Sequence, residues 1–149
     1  MRAVIQRVHR ATVRVENEVT GSIGRGLVVL LGVRKEDTAA DADYLVEKVV
    51  NLRVFPDAED KMNCSLVDIQ GSLLVVSQFT VYGSTLRGRR PSFDRAAAPE
   101  QARALYEYFV GSARKRGIRV ETGIFQASME VELVNFGPVT ILCDSEKAL

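Results

Sequence analysis

The sequence predicts a mixed α/β layer fold in which two helices cover a largely antiparallel sheet system. Three observations lead there. Short apolar stretches of strand length fill the first part of the chain, some alternating with polar residues and some uninterrupted. Two later stretches place their apolar residues at helical spacing, one ending near Leu52 and one opening at Pro99. Further strand-like stretches lie between and after them, giving the order strands, helix, strands, helix, strands. Which strands pair is not fixed by the pattern.

Arg2 to Val8 reads as a first strand, and Ala11 to Val15 as a second, because Ala11, Val13 and Val15 alternate with Thr12 and Arg14. Glu16-Asn17-Glu18 is a hairpin turn into Val19 to Ile23. Gly24-Arg25-Gly26 turns the chain into Leu27 to Val33, whose continuous apolar run predicts burial on both faces. A strand follows that G-x-G, so it is a turn and not a dinucleotide fingerprint. Asp37 or Thr38 caps a helix reaching about Leu52, with Leu45, Val49 and Leu52 on one face. Arg53 to Phe55 is a short strand, Pro56 to Asp60 a loop, and Ser72 to Gln78 a central buried strand. Pro99 suits a helix first turn, Ala102, Leu105 and Phe109 share a face, and Gly117 closes the helix behind Arg114-Lys115-Arg116. Three strands follow, at Arg119 to Thr122, Met129 to Asn135 and Val139 to Cys143.

Hydrophobic residues make up 46% of the 149 and charged residues 26%, a balance that argues against disorder and for one domain over residues 1–149. The net charge of +1 creates no global field toward nucleic acid or membrane, so such binding would need a local patch. No apolar run has the length of a membrane span, and none resembles a signal sequence, so the expected location is the cytosol. Cys64 and Cys143 are too few for a disulfide framework and are expected to be reduced thiols.

Elimination narrows the chemistry. The sole histidine, His9, stands between Val8 and Arg10 in an expected strand-to-strand turn, where a solvated residue is the plain reading and a catalytic base the bolder one. One histidine and two distant cysteines cannot supply a zinc site, and no residue pattern points to metal or triad chemistry. Glu130 and Glu132 alternate with apolar residues and read as a solvated strand face. What remains is a set of hydroxyls and amides, Ser77, Gln78, Thr80, Asn135 and Thr140, on two segments with the same strand-then-polar-turn look. Such groups, with backbone N–H donors beyond a strand end, can stabilise an oxyanion without any base. The two segments, Gly71 to Phe93 and Asn135 to Thr140, are expected to make one site. Gly137-Pro138 is either a plain turn or a cis peptide that fixes its carbonyl directions. Arg87, Arg89, Arg90 and Arg95 form either a solvated face or a phosphate-contacting patch.

The chain resembles the D-aminoacyl-tRNA deacylases over nearly its whole length. The resemblance is carried by the opening Arg2 to Val8, Gly32-Val33, Lys61-Met62-Asn63, Ser77-Gln78-Phe79-Thr80, Arg90-Pro91-Ser92-Phe93, Thr122 to Phe125 and Asn135 to Thr140. It implies a barrel-like core and a cytosolic homodimer that hydrolyses the ester between a D-amino acid, or glycine, and the 3′-terminal adenosine of tRNA. It implies that Gly137-Pro138 is cis, enters the partner subunit's site and excludes L-amino acids, with Arg7 helping to hold it. Ser77, Gln78, Phe79 and Thr80 are implied to surround the adenosine and the ester, with the Phe79 N–H as oxyanion donor. Phe125, Met129, Asn135 and Thr140 are implied to bind substrate, Arg87, Arg89 and Arg90 to meet the tRNA, and no metal or cofactor to take part. Two departures stand out: Phe136 where Asp is common, and Gln126-Ala127-Ser128-Met129 where Gly-Ala-Asp-Met is common. They put substrate range in question more than reaction class.

Three other readings stay open. A non-catalytic nucleic-acid-binding module would use the basic loop Arg87 to Arg95. A different esterase would use Thr80 or Cys143 as nucleophile. A related deacylase that removes misattached L-alanine would carry a trans Gly137-Pro138.

Overall fold

The computed structural model covers residues 1–149. Its first strand, β1, runs unbroken from Arg2 to Val15. The turn expected at His9 is absent. The register against its neighbour slips on either side of Val8, and these bulges change which face is buried without ending the strand. Arg7 and Val8 are therefore both buried, while His9 and Arg10 are exposed.

Glu16 and Asn17 both take positive φ (51° and 66°), the conformation of a tight two-residue hairpin, and return the chain as β2, Glu18–Ile23. Next, β3, Gly26–Gly32, pairs antiparallel with the first half of β1. Helix α1, Ala39–Asn51, starts at Thr38, whose N–H donates to the Asp41 carboxylate at 2.8 Å. It buries Leu45, Val46 and Val49 as its periodicity predicts. A small ribbon follows, made by β4, Phe55–Pro56, and β5, Met62–Cys64; its second strand was not expected.

Strand β6, Ser72–Ser77, lies parallel to β3 and ends one residue earlier than predicted. Helix α2, Pro99–Lys115, begins with Pro99 in its first turn and is followed by Gly117 at φ +80°. Strand β7, Arg119–Thr122, extends the parallel set beyond β6. Finally β8, Glu130–Asp144, is one strand along β1 and not the expected strand, turn and strand. The reason is local. Gln6 pairs with Thr140 and Val8 with Asn135, so residues 136–139 bulge out opposite Arg7 alone.

The sheet order is β2-β1-β3-β6-β7, with β8 on the other side of β1. It is a mixed sheet that curls into a nearly closed barrel. At the seam Gly21 of β2 faces β7, where a Cβ would sit 2.5 Å from the Thr122 carbonyl oxygen. The alternation of β6 explains why it is apolar throughout. Leu73 and Val75 pack with Leu45, Val49 and Phe109 of the helices, whereas Leu74 and Val76 join Val8, Val13 and Val28 in a second cluster. Each fully buried aliphatic side chain of this kind contributes about 1.5–3 kcal/mol. No helix is long and apolar enough to cross a membrane.

Candidate active site

A cavity of about 700 Å³ opens where β3 and β6 end. Leu31, Val76, Tyr106 and Phe125 give it an apolar wall, and Ser77, Gln78, Phe79 and Thr80 all reach it. The local chain explains their placement. The Gln78 N–H donates to the Leu31 carbonyl at 2.8 Å, prolonging the β3–β6 pairing by one bond. The backbone then coils into a 3-10 turn, Phe79–Tyr82, in which the Val81 N–H returns to the Gln78 carbonyl at 3.3 Å. The Phe79 and Thr80 N–H groups precede that first bond and have no acceptor within the turn's own ladder.

Gln78 Nε2 donates to Thr80 Oγ1 at 2.8 Å, so the threonine hydroxyl is oriented by an amide and not by a base. Phe79 is 57% exposed and meets Phe93 edge to face, with ring centroids 5.0 Å apart. Gly83 makes room for this pair, since a Cβ there would lie 2.9 Å from the Phe93 ring. Tyr106 pins α2 to the sheet by donating its hydroxyl to the Val75 carbonyl at 3.0 Å. Burial pushes its pKa up to about 12, against an opposing hydrogen bond with Thr122. No histidine, carboxylate or lysine lines this cavity. No three His, Cys, Asp or Glu side chains converge to hold a metal ion.

Met129 and Phe125 line the cavity. Arg7, Asn135, Gly137, Pro138 and Thr140 do not, so one chain does not unite the two polar segments. β8 leaves the cavity after Val131 and follows β1 away from it before reaching Asn135. There it builds a supported protrusion. The Asn135 amide bridges the base of the bulge, with Oδ1 accepting from the Val139 N–H at 2.7 Å and Nδ2 donating to its carbonyl at 3.0 Å. Thr140 Oγ1 accepts from Gln6 Nε2 at 3.4 Å.

Arg7, only 6% exposed, donates Nε–H to the Phe136 carbonyl at 2.8 Å and Nη1–H to the Val54 carbonyl at 2.6 Å. Burial, reinforced by the Arg25 charge, lowers its pKa from the usual guanidinium value. Its guanidinium also lies 4.0 Å from the Phe136 ring centroid, and His9 stacks on the same residue at 4.4 Å. Phe136 therefore packs within its own chain. The Gly137-Pro138 peptide is cis, and both residues are exposed at the tip. At Gly137, φ is +136° and a Cβ would meet Arg7 Nη2 at 2.8 Å, so glycine is required twice over.

Ser84 and Ser92 exchange backbone hydrogen bonds of 2.7 and 3.0 Å, and the intervening loop projects with Arg87, Arg89 and Arg90 exposed and without carboxylate partners. Arg95 differs, being paired with Glu146 at 2.8 Å. Ser128 is exposed and does not line the cavity, whereas Gln126 does and adopts φ +66°, a conformation glycine favours. The pattern reading missed Ala97 and Tyr106 as cavity residues, and Phe93 entered only as the end of the segment from Gly71. Tyr106 was within reach, since it follows Ala102 by one helical turn on the face toward the sheet.

The profile of the family described as D-Tyr-tRNA(Tyr) deacylase matches residues 4–144. The chain belongs to the D-aminoacyl-tRNA deacylase family. It is 64% identical over 147 residues to the D-aminoacyl-tRNA deacylase of Symbiobacterium thermophilum, covering 99% of this chain and 97% of that one. The relative of the same name from Koribacter versatilis is 59% identical, with 99% of both chains covered. Among solved structures, a c-Myc DNA unwinding element binding protein superposes with a TM-score of 0.91 at 43% identity, covering 97% of this chain and 98% of that one. A probable eukaryotic D-amino acid tRNA deacylase shares the fold, with a TM-score of 0.83 at 21% identity over 96% of this chain and 98% of that one. The deacylase is thus an ester hydrolase acting on aminoacyl-tRNA.

Proposed function

We propose that this deacylase removes D-amino acids, and glycine, from the 3′-terminal adenosine of tRNA in the cytosol and spares L-amino acids. The carrying observation is an apolar cavity lined at one end by the hydroxyl and amide side chains of Ser77, Gln78 and Thr80, with no histidine, carboxylate or lysine. Phe125 and Met129 flank the adenosine, and Ser77, Gln78, Phe79 and Thr80 surround the ester. Water adds to the carbonyl carbon, assisted by the vicinal ribose 2′-hydroxyl. The developing oxyanion lies at the Phe79 N–H, the bond to O3′ breaks, and O3′ takes up the proton. Thr80, held by Gln78, is a positioning group in this reading and not a nucleophile.

The chiral filter in this reading is the Gly137-Pro138 tip of a second subunit, inserted into the cavity of the first. Two features support it: the tip is exposed and braced, and the cavity of its own chain does not include it. Arg87, Arg89 and Arg90 contact the tRNA, and no metal or cofactor takes part. The test is metal-free deacylation of matched D- and L-tyrosyl-tRNA with sedimentation of the same preparation. Rapid loss of the D-ester alone, by a dimer, is expected; cleavage of neither ester, or of both equally, rejects the reading. Gln78→Ala should lower kcat on the D-ester by at least about tenfold.

A second reading draws on the basic loop and on the DNA-binding name of one structural neighbour. A pure nucleic-acid-binding module would lose its activity when Arg87, Arg89 and Arg90 are replaced, and would ignore Gln78→Ala.

A further inference from the structure

Phe125 separates two cavities. Beyond it lies a smaller one of about 380 Å³, and Tyr106 and Phe125 face both. Its rim includes Arg103, Glu107 and Arg114 from α2 opposite the exposed Ile124. The rim carries two arginines and one glutamate. Arg2, Arg14, Arg34, Arg95, Arg116 and Arg119 each pair with a carboxylate, but Arg103 pairs with none, Glu107 included. Arg114 is committed elsewhere, donating to the Val120 carbonyl at 3.0 Å. The Arg103 guanidinium instead lies 5.0 Å from the Phe125 ring centroid. Stacking of this kind steadies the group while leaving its N–H edge available to an anion.

We propose that this groove receives the nucleotide preceding the terminal adenosine, its phosphate on Arg103 and its base against Phe125 and Ile124. The inference rests on the reading that the larger cavity holds that adenosine. An RNA end seated there must continue through an adjoining opening, and this groove shares a wall with the cavity. Its volume falls within the range of about 300–1,000 Å³ typical of small-molecule sites. An unpaired arginine for a phosphate and an aromatic and aliphatic surface for a base are the elements of single-strand recognition without sequence readout. Such contacts suit an enzyme that must accept many tRNAs.

The test compares D-tyrosyl-tRNA with 3′-(D-tyrosyl)adenosine, which lacks the preceding nucleotide, using the wild type, Arg103→Ala and Arg103→Glu. Arg103→Ala should lower the preference for tRNA over the adenosine ester, as a ratio of kcat/KM values, by roughly five- to tenfold. Arg103→Glu should lower it further. The loss should reside in KM, and the log–log salt slope for tRNA should fall by about one. A ratio that stays constant in both variants, or equal losses on both substrates, overturns the proposal. If the wild type cleaves neither substrate, the underlying reading of the larger cavity has failed, an outcome distinct from a constant ratio.

Discussion

At Arg7, a single buried guanidinium joins two separate carbonyls, those of Phe136 and Val54, and lies against an aromatic ring. Arg7→Ala orphans both acceptors and empties the space between them, so a loss of about 2–4 kcal/mol is expected in urea unfolding. Arg7→Lys should recover only part, because an ammonium cannot reproduce the planar fork. Asn135 makes the complementary prediction. Asn135→Asp can still accept from the Val139 N–H but cannot donate to its carbonyl, so the protrusion loosens. Deacylation of D-tyrosyl-tRNA should fall about tenfold or more, with a smaller change in stability. These roles were half legible. The opening Arg2 to Val8 and the distant Asn135 to Thr140 helped to carry the family resemblance, but a bulge that buries Arg7 leaves no trace in residue spacing. The contact of Phe136 with Arg7 and His9 was equally hidden, since it joins two strands distant in sequence.

Among the elements, the seam between β2 and β7 depends on the absence of one side chain. Gly21→Ala places a methyl against the Thr122 backbone, which cannot rotate away, and should cost about 1–3 kcal/mol. Gly24→Ala is the internal control: a Cβ there meets nothing within 4 Å, and the expected change is within about 0.5 kcal/mol in the same denaturation experiment. The helices were readable because their caps and apolar faces are local features. The strands β1 and β8 were each divided in two, because alternation is the only pattern signal for a strand and a bulge interrupts alternation while hydrogen bonding continues. The 3-10 turn at Phe79 was unreadable for another reason: it is set by the bond from Gln78 to Leu31, a contact across strands.

For the whole molecule, α2 is tied to the barrel through a tyrosine that must stay neutral. The ordinary tyrosine value is 10.0 and the folded value about 12, so the folded state binds the proton more tightly. That contribution is complete below pH 10 and is lost as pH rises toward 12, and Tyr106→Phe should flatten this part of the stability–pH curve. The general layering and the polar end of β6 could be read from apolar runs and their interruptions. The separation of that end from Gly137-Pro138 could not, because it follows from the direction in which β8 departs. That strand has one more consequence. Val131, at one end, belongs to the cavity wall, and Gly137, six residues on, belongs to the protrusion, with β1 gripping the span between them. At strand rise this is a rod of roughly 20 Å. It works as a gauge block: in the pair proposed above, the reach of one subunit's protrusion would be set against the depth of the other's cavity by the same stretch of backbone. Lengthening that stretch by one residue would mis-set both copies at once, while the projecting loop between Ser84 and Ser92 could change length without disturbing either.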